Sequence, residues 1–265
     1  MLEQREIPEF HLGAKLYLVT YLVAGLKVKG YLAVPQGTGP FPLLVYCRGG
    51  IKNVGMTKLA WVSRCVQEGY VVFAPLYRGN RGGEGREDFG GEDRLDVLEA
   101  IPWVMQLPCV DPQRMHLFGF SRGSLPALFA AMRYSCFRSV TVWGGVSDMV
   151  LTYEEREDLR RMLRRVIGGP PWKKPEEYER RTPIHRISDV TCPVLIVHGT
   201  RDRSVGVEHA YRLAASLERT GKTFEMMIYE GLGHHFPPME MEQAWQRMFC
   251  WVKEQEGPLQ NATRN

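Results

Sequence analysis

The chain has 265 residues, of which 44% are hydrophobic, and its 34 basic and 30 acidic side chains give a formal net charge of +4. This length and hydrophobic content fit one large α/β domain or two small ones. The charges are mixed along the sequence and form no basic arm, so we expect no nucleic-acid partner. No window approaches the roughly 18 apolar residues of a membrane helix, so we expect no membrane partner.

The N-terminal segment and the cysteines indicate the cellular compartment of the protein. Three of the first six residues are charged and no long apolar run follows them, which is unlike a secretory signal. The six cysteines are scattered and include no CxxC pair, so free thiols are expected rather than disulfides or a thiolate metal site. These features predict a soluble cytoplasmic protein.

In chain order, the sequence predicts a hairpin and then alternating strands and helices. Residues 14–34 alternate in hydropathy around a turn at Ala24-Gly25. Short apolar runs typical of strands buried on both faces lie at 43–47, 70–74, 115–118, 140–143, 194–198 and 224–229. Helical spacing is found at 59–66, 95–105, 123–132, 207–217 and 239–253. Pro102 is expected to kink or shorten its helix. The order predicts an α/β fold with a mostly parallel central sheet and helices on both faces.

Residues 149–190 interrupt this alternation. They contain no strand pattern and are rich in charge, which predicts a small helical insertion over the sheet edge that acts as a lid. The charges themselves are typical of a solvated helix with ion pairs. We therefore predict a single domain over residues 1–255, with the lid insertion at about 149–190, and a flexible C-terminal tail at 256–265.

One five-residue segment carries the pattern of a catalytic nucleophile. Residues 119–123 read Gly-Phe-Ser-Arg-Gly and join a predicted buried strand to a predicted helix. Gly-x-Ser-x-Gly is common by itself, but in this context it predicts the nucleophile elbow of an α/β-hydrolase fold. The strained turn tolerates only small neighbours, which the two glycines provide. Ser121 is the predicted nucleophile, and a helix-capping serine is the alternative.

A serine hydroxyl needs a base to take its proton and an acid to orient that base. In this fold the acid and then the histidine follow the serine along the chain. Asp202 follows the predicted strand at 194–198, and His234 follows the one at 224–229. Both come after the carboxyl ends of strands, where ligands collect in open α/β sheets. We predict Asp202 as the acid and His234 as the base.

Two alternatives stay open. His235 is adjacent to His234 and only one of them can face the serine; His234 is preferred because a flexible Gly-Leu-Gly run directly precedes it. Asp148 also follows a predicted strand and is a rival acid, although a turn or cap residue is the preferred interpretation. His198 is interpreted as a structural histidine.

An acyl-transfer site also needs N–H donors for the developing oxyanion. The residue after the nucleophile, Arg122, supplies one backbone N–H, and the loop after the strand at 43–47 supplies the other. That loop reads Arg48-Gly49-Gly50; Gly50 is the predicted donor and Gly49 the alternative. The sequence has no HExxH motif and no glycine-rich dinucleotide fingerprint, so no metal and no cofactor are predicted.

Several segments together carry a family likeness. They are Tyr77-Arg78-Gly79-Asn80, the elbow at 119–123, residues 178–184, residues 192–199 with Asp202 and Val205, and residues 229–236. In combination they resemble the catalytic domain of the prolyl oligopeptidase family of serine peptidases over about residues 14–253. The resemblance implies an α/β-hydrolase fold, and it implies that the first histidine of the pair is the base.

Three features depart from that family. The chain is too short to include the family's β-propeller. Arg48 and Ile51 stand in the oxyanion loop where the family often has histidine and proline. Arg122 follows the nucleophile where a tyrosine or another bulky residue is frequent, and a cation there would be placed to steer an acidic group of the substrate.

The sequence thus predicts a serine hydrolase that cleaves small ester or short peptide or amide bonds through an acyl-enzyme intermediate. A carboxylesterase or thioesterase without peptidase activity is the alternative. A non-catalytic binding protein on a hydrolase scaffold is a remote one, because the set of Ser121, Asp202 and His234 is complete. The predicted partner is a small-molecule or short-peptide substrate, and no oligomeric state is predicted.

Overall fold

One nine-stranded sheet organises the chain in a computed structural model that describes residues 1–8 and 13–257. The strands are β1 (Glu3–Glu6), β2 (Ala14–Val23), β3 (Leu26–Pro35), β4 (Phe41–Cys47), β5 (Val71–Pro75), β6 (Val110–Phe120), β7 (Phe137–Trp143), β8 (Val194–Gly199) and β9 (Phe224–Tyr229). Their order across the sheet is β1-β2-β3-β5-β4-β6-β7-β8-β9. The pairings from β5 to β9 are parallel and the first three are antiparallel, so the predicted mostly parallel sheet is confirmed.

Helices cover both faces of this sheet. They are α1 (Leu59–Gln67), α2 (Leu95–Leu98), α3 (Ile101–Val104), α4 (Ser124–Arg133), α5 (Met149–Glu155), α6 (Arg160–Ile167), α7 (Pro175–Glu179), α8 (Glu208–Arg219) and α9 (Pro238–Glu254). Alternate residues of β4 enter two separate cores: Val45 packs with residues of α2, α3, α4 and α8, whereas Tyr46 packs with residues of α1 and α9. Both faces are therefore buried, which explains why the central strands read as continuous apolar runs.

Pro102 divides the predicted helix at 95–105 into α2 and α3. Proline has no N–H to donate to the carbonyl of Leu98, four residues earlier, and its ring would crowd that carbonyl. The hydroxyl of Tyr134 donates a hydrogen bond to the carbonyl of Leu98 instead, at 2.8 Å. The expected shortening of this helix is confirmed.

Residues 149–190 contain α5, α6 and α7 together with two 3₁₀ segments, Glu157–Leu159 and Pro183–Asp189. Leu163 and Ile167 of α6 are buried in a third apolar cluster with Leu125 of α4, which lies one turn after Ser121. The insertion therefore packs over the start of the helix that follows the predicted nucleophile. Its function as a lid stays a prediction.

Two structural features near the chain ends were not predicted from the sequence. Strand β1 pairs with β2, but all four of its residues are exposed, so it has no hydropathy pattern that could reveal it. Glu256, the first residue of the predicted tail, accepts a hydrogen bond from the hydroxyl of Tyr70 at 2.8 Å. Residues 258–265 lie outside the described residues. No helix in the described part of the chain is long and apolar enough to cross a membrane.

An aromatic cluster supports β6, the strand that leads to Ser121. The ring of Phe118 is fully buried, and its centroid lies 5.3 Å from that of Tyr46 and 5.2 Å from that of Trp245. Trp143 of β7 contacts the same ring from the next strand, at 6.3 Å. The cluster joins the elbow strand to its two neighbouring strands and to α9.

We expect Phe118→Ala to lower the free energy of unfolding by about 3–5 kcal/mol, because it leaves a cavity inside this cluster. Urea denaturation followed by tryptophan fluorescence measures the loss. Met239→Ala is the matched control, because the Met239 side chain is 68% exposed and its removal should change the stability little. An equal loss in the two variants would contradict the prediction.

Candidate active site

Ser121 lies in a sharp turn between β6 and α4, and its φ of +56° is in the left-handed region. Such a conformation costs about 1–3 kcal/mol in a residue other than glycine and is held only where the surroundings demand it. The neighbouring glycines allow the turn to close. A Cβ on Gly119 would lie 2.7 Å from the carbonyl oxygen of Gly123, and a Cβ on Gly123 would collide with the carbonyl oxygen of Cys47. The predicted strand, turn and helix are all present.

Asp202 and His234 meet at the same edge of the sheet, from the loops after β8 and β9. His234 Nδ1 lies 2.6 Å from Oδ2 of Asp202, and the other carboxylate oxygen accepts the N–H groups of Ser204 and Val205 at 2.8 and 2.9 Å. Burial would raise the pKa of Asp202, but the hydrogen bond and charge of His234 and the N–H of Val205 hold this pKa below its usual value. An ionised carboxylate only accepts hydrogen bonds, so Nδ1 of His234 carries the proton and Nε2 can act as a base.

Packing fixes the imidazole of His234 from two sides. The ring of Phe120, one residue before Ser121, lies 4.8 Å from it, centroid to centroid. On the Nδ1 side, a Cβ on Gly144 would lie 3.2 Å from that nitrogen and 3.3 Å from the Asp202 carboxylate. The side chain remains 13% exposed, so the ring is held in place while one part of it stays accessible to a substrate.

The alternative candidates for the base and the acid make other contacts in the structure. His235 is exposed and its Nδ1 lies 3.5 Å from the ammonium group of Lys58. Asp148 caps α5 through the N–H groups of Val150 and Leu151. His198 is buried, with Nε2 2.9 Å from the carbonyl oxygen of Val205 and 3.5 Å from Oδ2 of Asp202, so it is farther from the carboxylate than His234 is. Geometry therefore favours His234 over His235 and Asp202 over Asp148.

The loop of residues 48–50 closes against the nucleophile. A Cβ on Gly49 would lie 2.7 Å from Cβ of Ser121 and 3.2 Å from its Oγ, so only glycine fits there. Gly50 follows with a φ of +62°, and a Cβ there would collide with the carbonyl oxygen of Val54. Gly49 thus lies against Ser121, and Gly50 is the next residue of the same loop. The choice of Gly50 over Gly49 as the oxyanion donor stays a prediction.

Arg122 does not face a substrate, and the expectation that its cation steers an acidic group is wrong. The residue is 2% exposed. Its guanidinium donates to Glu87 at 2.5 Å and to Asp93 at 3.0 Å, and it lies over the ring of Tyr77 at 4.7 Å. The side chain therefore points into the protein, where both of its acidic partners are buried. Only the backbone N–H of Arg122 remains a candidate for binding the substrate.

Glu87 connects the two segments that carry the candidate oxyanion donors, a function that no sequence motif predicted. Its carboxylate accepts from Arg48 at 2.9 Å and from Arg122. It also accepts from the side chain of Asn80 at 2.7 Å and from the backbone N–H of Lys52 at 2.9 Å. Burial would raise the pKa of Glu87, but the charges of Arg122 and Arg48 hold it below its usual value. The carboxylate is therefore a buried, ionised link between the 48–50 loop and the elbow.

One signal could have pointed to Glu87. Two arginines flank glycine-rich turns that must pack closely, and buried guanidinium groups need a carboxylate partner. The glycine-rich loop after β5 holds several acidic residues that could provide it. Which of them does so depends on the path of the loop, and the sequence pattern leaves that path undefined.

Comparison with known proteins agrees with this architecture. The family model of the prolyl oligopeptidase family, Peptidase_S9, matches residues 57–258. The chain belongs to the prolyl oligopeptidase family. It is therefore a serine hydrolase of a peptidase family. The uncharacterized peptidase YtmA of Bacillus subtilis is 45% identical over 254 residues, covering 96% of this chain and 99% of that protein.

Solved structures establish that this family member has the α/β-hydrolase fold. A puromycin-hydrolyzing peptidase of Mycobacterium tuberculosis superposes with a TM-score of 0.79 at 21% identity, covering 91% of this chain. The chain spans 39% of the length of that peptidase. An acetyl xylan esterase from Paenibacillus sp. R4 superposes with a TM-score of 0.74 at 17% identity, covering 94% of this chain and 88% of the esterase.

We expect Glu87→Gln to lower kcat by about 10-fold to 100-fold, because the loss of one oxyanion donor costs on the order of 10²-fold. KM should change far less, since Glu87 itself lies below the site. Steady-state kinetics on a chromogenic ester measure the changes in kcat and KM separately. Glu92→Gln, in the same segment but with an exposed carboxylate on Arg180, should match the wild type. Thermal unfolding of each variant confirms that the assay is run on folded protein. An unchanged kcat in folded Glu87→Gln would contradict the prediction.

Proposed function

We propose that Ser121, His234 and Asp202 form the catalytic triad of a peptidase that cleaves short peptides and small esters through an acyl-enzyme. The observation that carries the proposal is the 2.6 Å contact between His234 Nδ1 and Asp202, made at the sheet edge where the Ser121 elbow also lies. Ser121 follows β6, Asp202 follows β8 and His234 follows β9. These strands belong to the parallel part of the sheet, which runs in the order β6-β7-β8-β9. Their carboxyl ends therefore bring the three side chains to one edge.

The first half of the reaction acylates the serine. Nε2 of His234 takes the proton of the Ser121 hydroxyl as Oγ bonds to the carbonyl carbon of the substrate. The carbonyl oxygen becomes an oxyanion, which the backbone N–H groups of Arg122 and Gly50 bind, with Gly49 as the alternative donor. The bond to the leaving group then breaks, and His234 gives its proton to the departing amine or alcohol.

The second half releases the acyl group. Water takes the place of the leaving group, His234 removes its proton, and the hydroxide oxygen bonds to the acyl carbon. The ester bond to Ser121 breaks and the serine recovers its proton from His234. Asp202 remains ionised in both halves, since its pKa is held low, and it stabilises the imidazolium that forms twice in the cycle.

Peptides are the proposed natural substrates because the family and the 45% identical relative are both peptidases by name. That relative is aligned over 99% of its length with 96% of this chain. A carboxylesterase or thioesterase without peptidase activity is the second candidate, since the same triad cleaves activated esters readily. The six cysteines are free, and Cys47, Cys65 and Cys192 are buried, which supports the proposed cytoplasmic location.

A fluorophosphonate probe should label Ser121 in the folded wild type and should leave Ser121→Ala unlabelled, because only an activated serine attacks the probe. The wild type should hydrolyse both aminoacyl-naphthylamides and p-nitrophenyl esters, and Ser121→Ala should lose at least about 10³-fold of each activity. Mass spectrometry locates the label. Turnover of esters alone would select the esterase, and an unlabelled Ser121 in active protein would contradict the triad.

His234→Ala should abolish turnover, by about 10³-fold or more, whereas His235→Ala should retain activity within a few-fold. The reason is that His234 contacts Asp202 and His235 is exposed beside Lys58. Both variants remove the same atoms from adjacent positions, so each controls for the other. The reverse outcome would transfer the base to His235.

A further inference from the structure

A polar cleft of about 640 Å³ lies beside the candidate site. One wall is formed by Lys52 and Asn53, which come directly after the 48–50 loop, and another by the loop of residues 78–88. Arg165 and Val166 of α6, in the predicted lid insertion, complete it. The cleft therefore lies between the loop that touches Ser121 and the insertion that packs over the start of α4.

The acidic groups in the wall of this cleft are already neutralised. Glu87 is buried between two guanidinium groups. Asp88 accepts the backbone N–H groups of Glu92 and Asp93 and pairs with Arg181 at 3.1 Å. Among the basic groups, Arg78 is fully engaged by Asp96 through contacts of 2.8 to 3.2 Å. None of these charges is available to a ligand.

Three other cations in the same wall have no such partner. The side chains of Lys52, Arg86 and Arg165 are exposed, and within residues 1–8 and 13–257 they make no hydrogen bond or ion pair. They come from three separate segments of the chain and converge on one cleft. With the acids neutralised, the cleft has an excess of positive charge that suits an anion, and a guanidinium fork matches a carboxylate in geometry.

The wall of the cleft is connected to the reacting centre through hydrogen bonds and through the chain itself. The backbone N–H of Lys52 donates to Glu87, which also holds Arg122, the residue after Ser121. Gly49, three residues before Lys52, would touch Ser121 with any side chain larger than hydrogen. The same segments of the chain therefore form the wall of the cleft and the surroundings of Ser121.

We propose that this cleft binds a carboxylate of the substrate, so that the enzyme prefers peptides and esters with a negative charge near the scissile bond. The proposal rests on the proposed hydrolase function and adds its substrate class. It assigns to Lys52, Arg86 and Arg165 the recognition of an acidic group that Arg122 cannot perform, since Arg122 is buried and paired. Lys52 and Arg86 belong to the body of the domain and Arg165 to the insertion, so an anion would also bridge the two.

Two matched ester pairs test the proposal. In the first pair, mono-4-nitrophenyl glutarate carries a carboxylate on the acyl side and 4-nitrophenyl butyrate is its neutral counterpart. In the second pair, 4-acetoxybenzoate carries a carboxylate on the leaving group and phenyl acetate is its neutral counterpart. For each pair, kcat/KM of the anionic ester is divided by kcat/KM of the neutral one. In the double variant Arg86→Gln/Arg165→Gln we expect this ratio to fall about tenfold for at least one pair, mainly through KM, as for the loss of a charge-assisted hydrogen bond.

Arg161→Gln is the matched control, because Arg161 is an exposed arginine of the same helix that does not line the cleft. It should leave both ratios at the wild-type value. Raising the salt concentration should lower the wild-type ratio and should affect the double variant less. The pair that responds identifies the side of the scissile bond that carries the charge.

Equal ratios in the wild type and the double variant, for both pairs, would overturn the carboxylate cleft while the neutral esters still report an active hydrolase. If the wild type cleaves none of the four esters and Ser121 also fails to react with a fluorophosphonate, the proposed function fails and the cleft proposal fails with it. The two failures are therefore distinguishable by the labelling of Ser121.

Discussion

The left-handed backbone of Ser121 is the constraint on which the site depends. A residue with a Cβ holds this conformation only under close packing from all sides, and the surrounding chain provides it. Gly119 and Gly123 let the turn close, and Gly49 lets the loop after β4 approach the serine. The aromatic cluster around Phe118 then fixes the strand that leads into the turn. The strain at one residue thus explains the glycines and the packed support below it.

Buried charges beneath the candidate site also hold the turn at Ser121 in place. A single carboxylate, that of Glu87, lies between the guanidinium groups of Arg48 and Arg122, and so it joins the 48–50 loop to the elbow. Buried charges of this kind are costly unless they are paired, and both guanidinium groups are paired here. Among the described residues, Nε of Arg48 has no hydrogen-bond partner. The arginines that distinguish this chain from the family's usual pattern are therefore parts of its internal framework. Their charges do not reach the substrate.

Substrate recognition falls to groups outside that framework. Lys52, Arg86 and Arg165, which have no ion pair within the described residues, line a cleft between the body of the domain and α6. The 45% identical relative aligns with this chain over 99% of its own length, so the insertion lies within the aligned region. The helical insertion packs over the start of α4, one turn after Ser121. Its Arg165 is one of the cations that we propose to recognise the substrate.

The sequence by itself determined the order of strands and helices, the elbow and the three triad candidates. These features are local: hydropathy period, glycine spacing and chain order define them without knowledge of contacts. Only the tertiary structure decided in which direction the side chains of loop residues point. It placed His234 rather than His235 on Asp202, turned Arg122 inward and brought Glu87 between two arginines. Strand β1 also needed its partner, because an exposed edge strand has no apolar face to reveal it. A side chain's direction at a turn is set by packing from distant segments, and no local pattern encodes it.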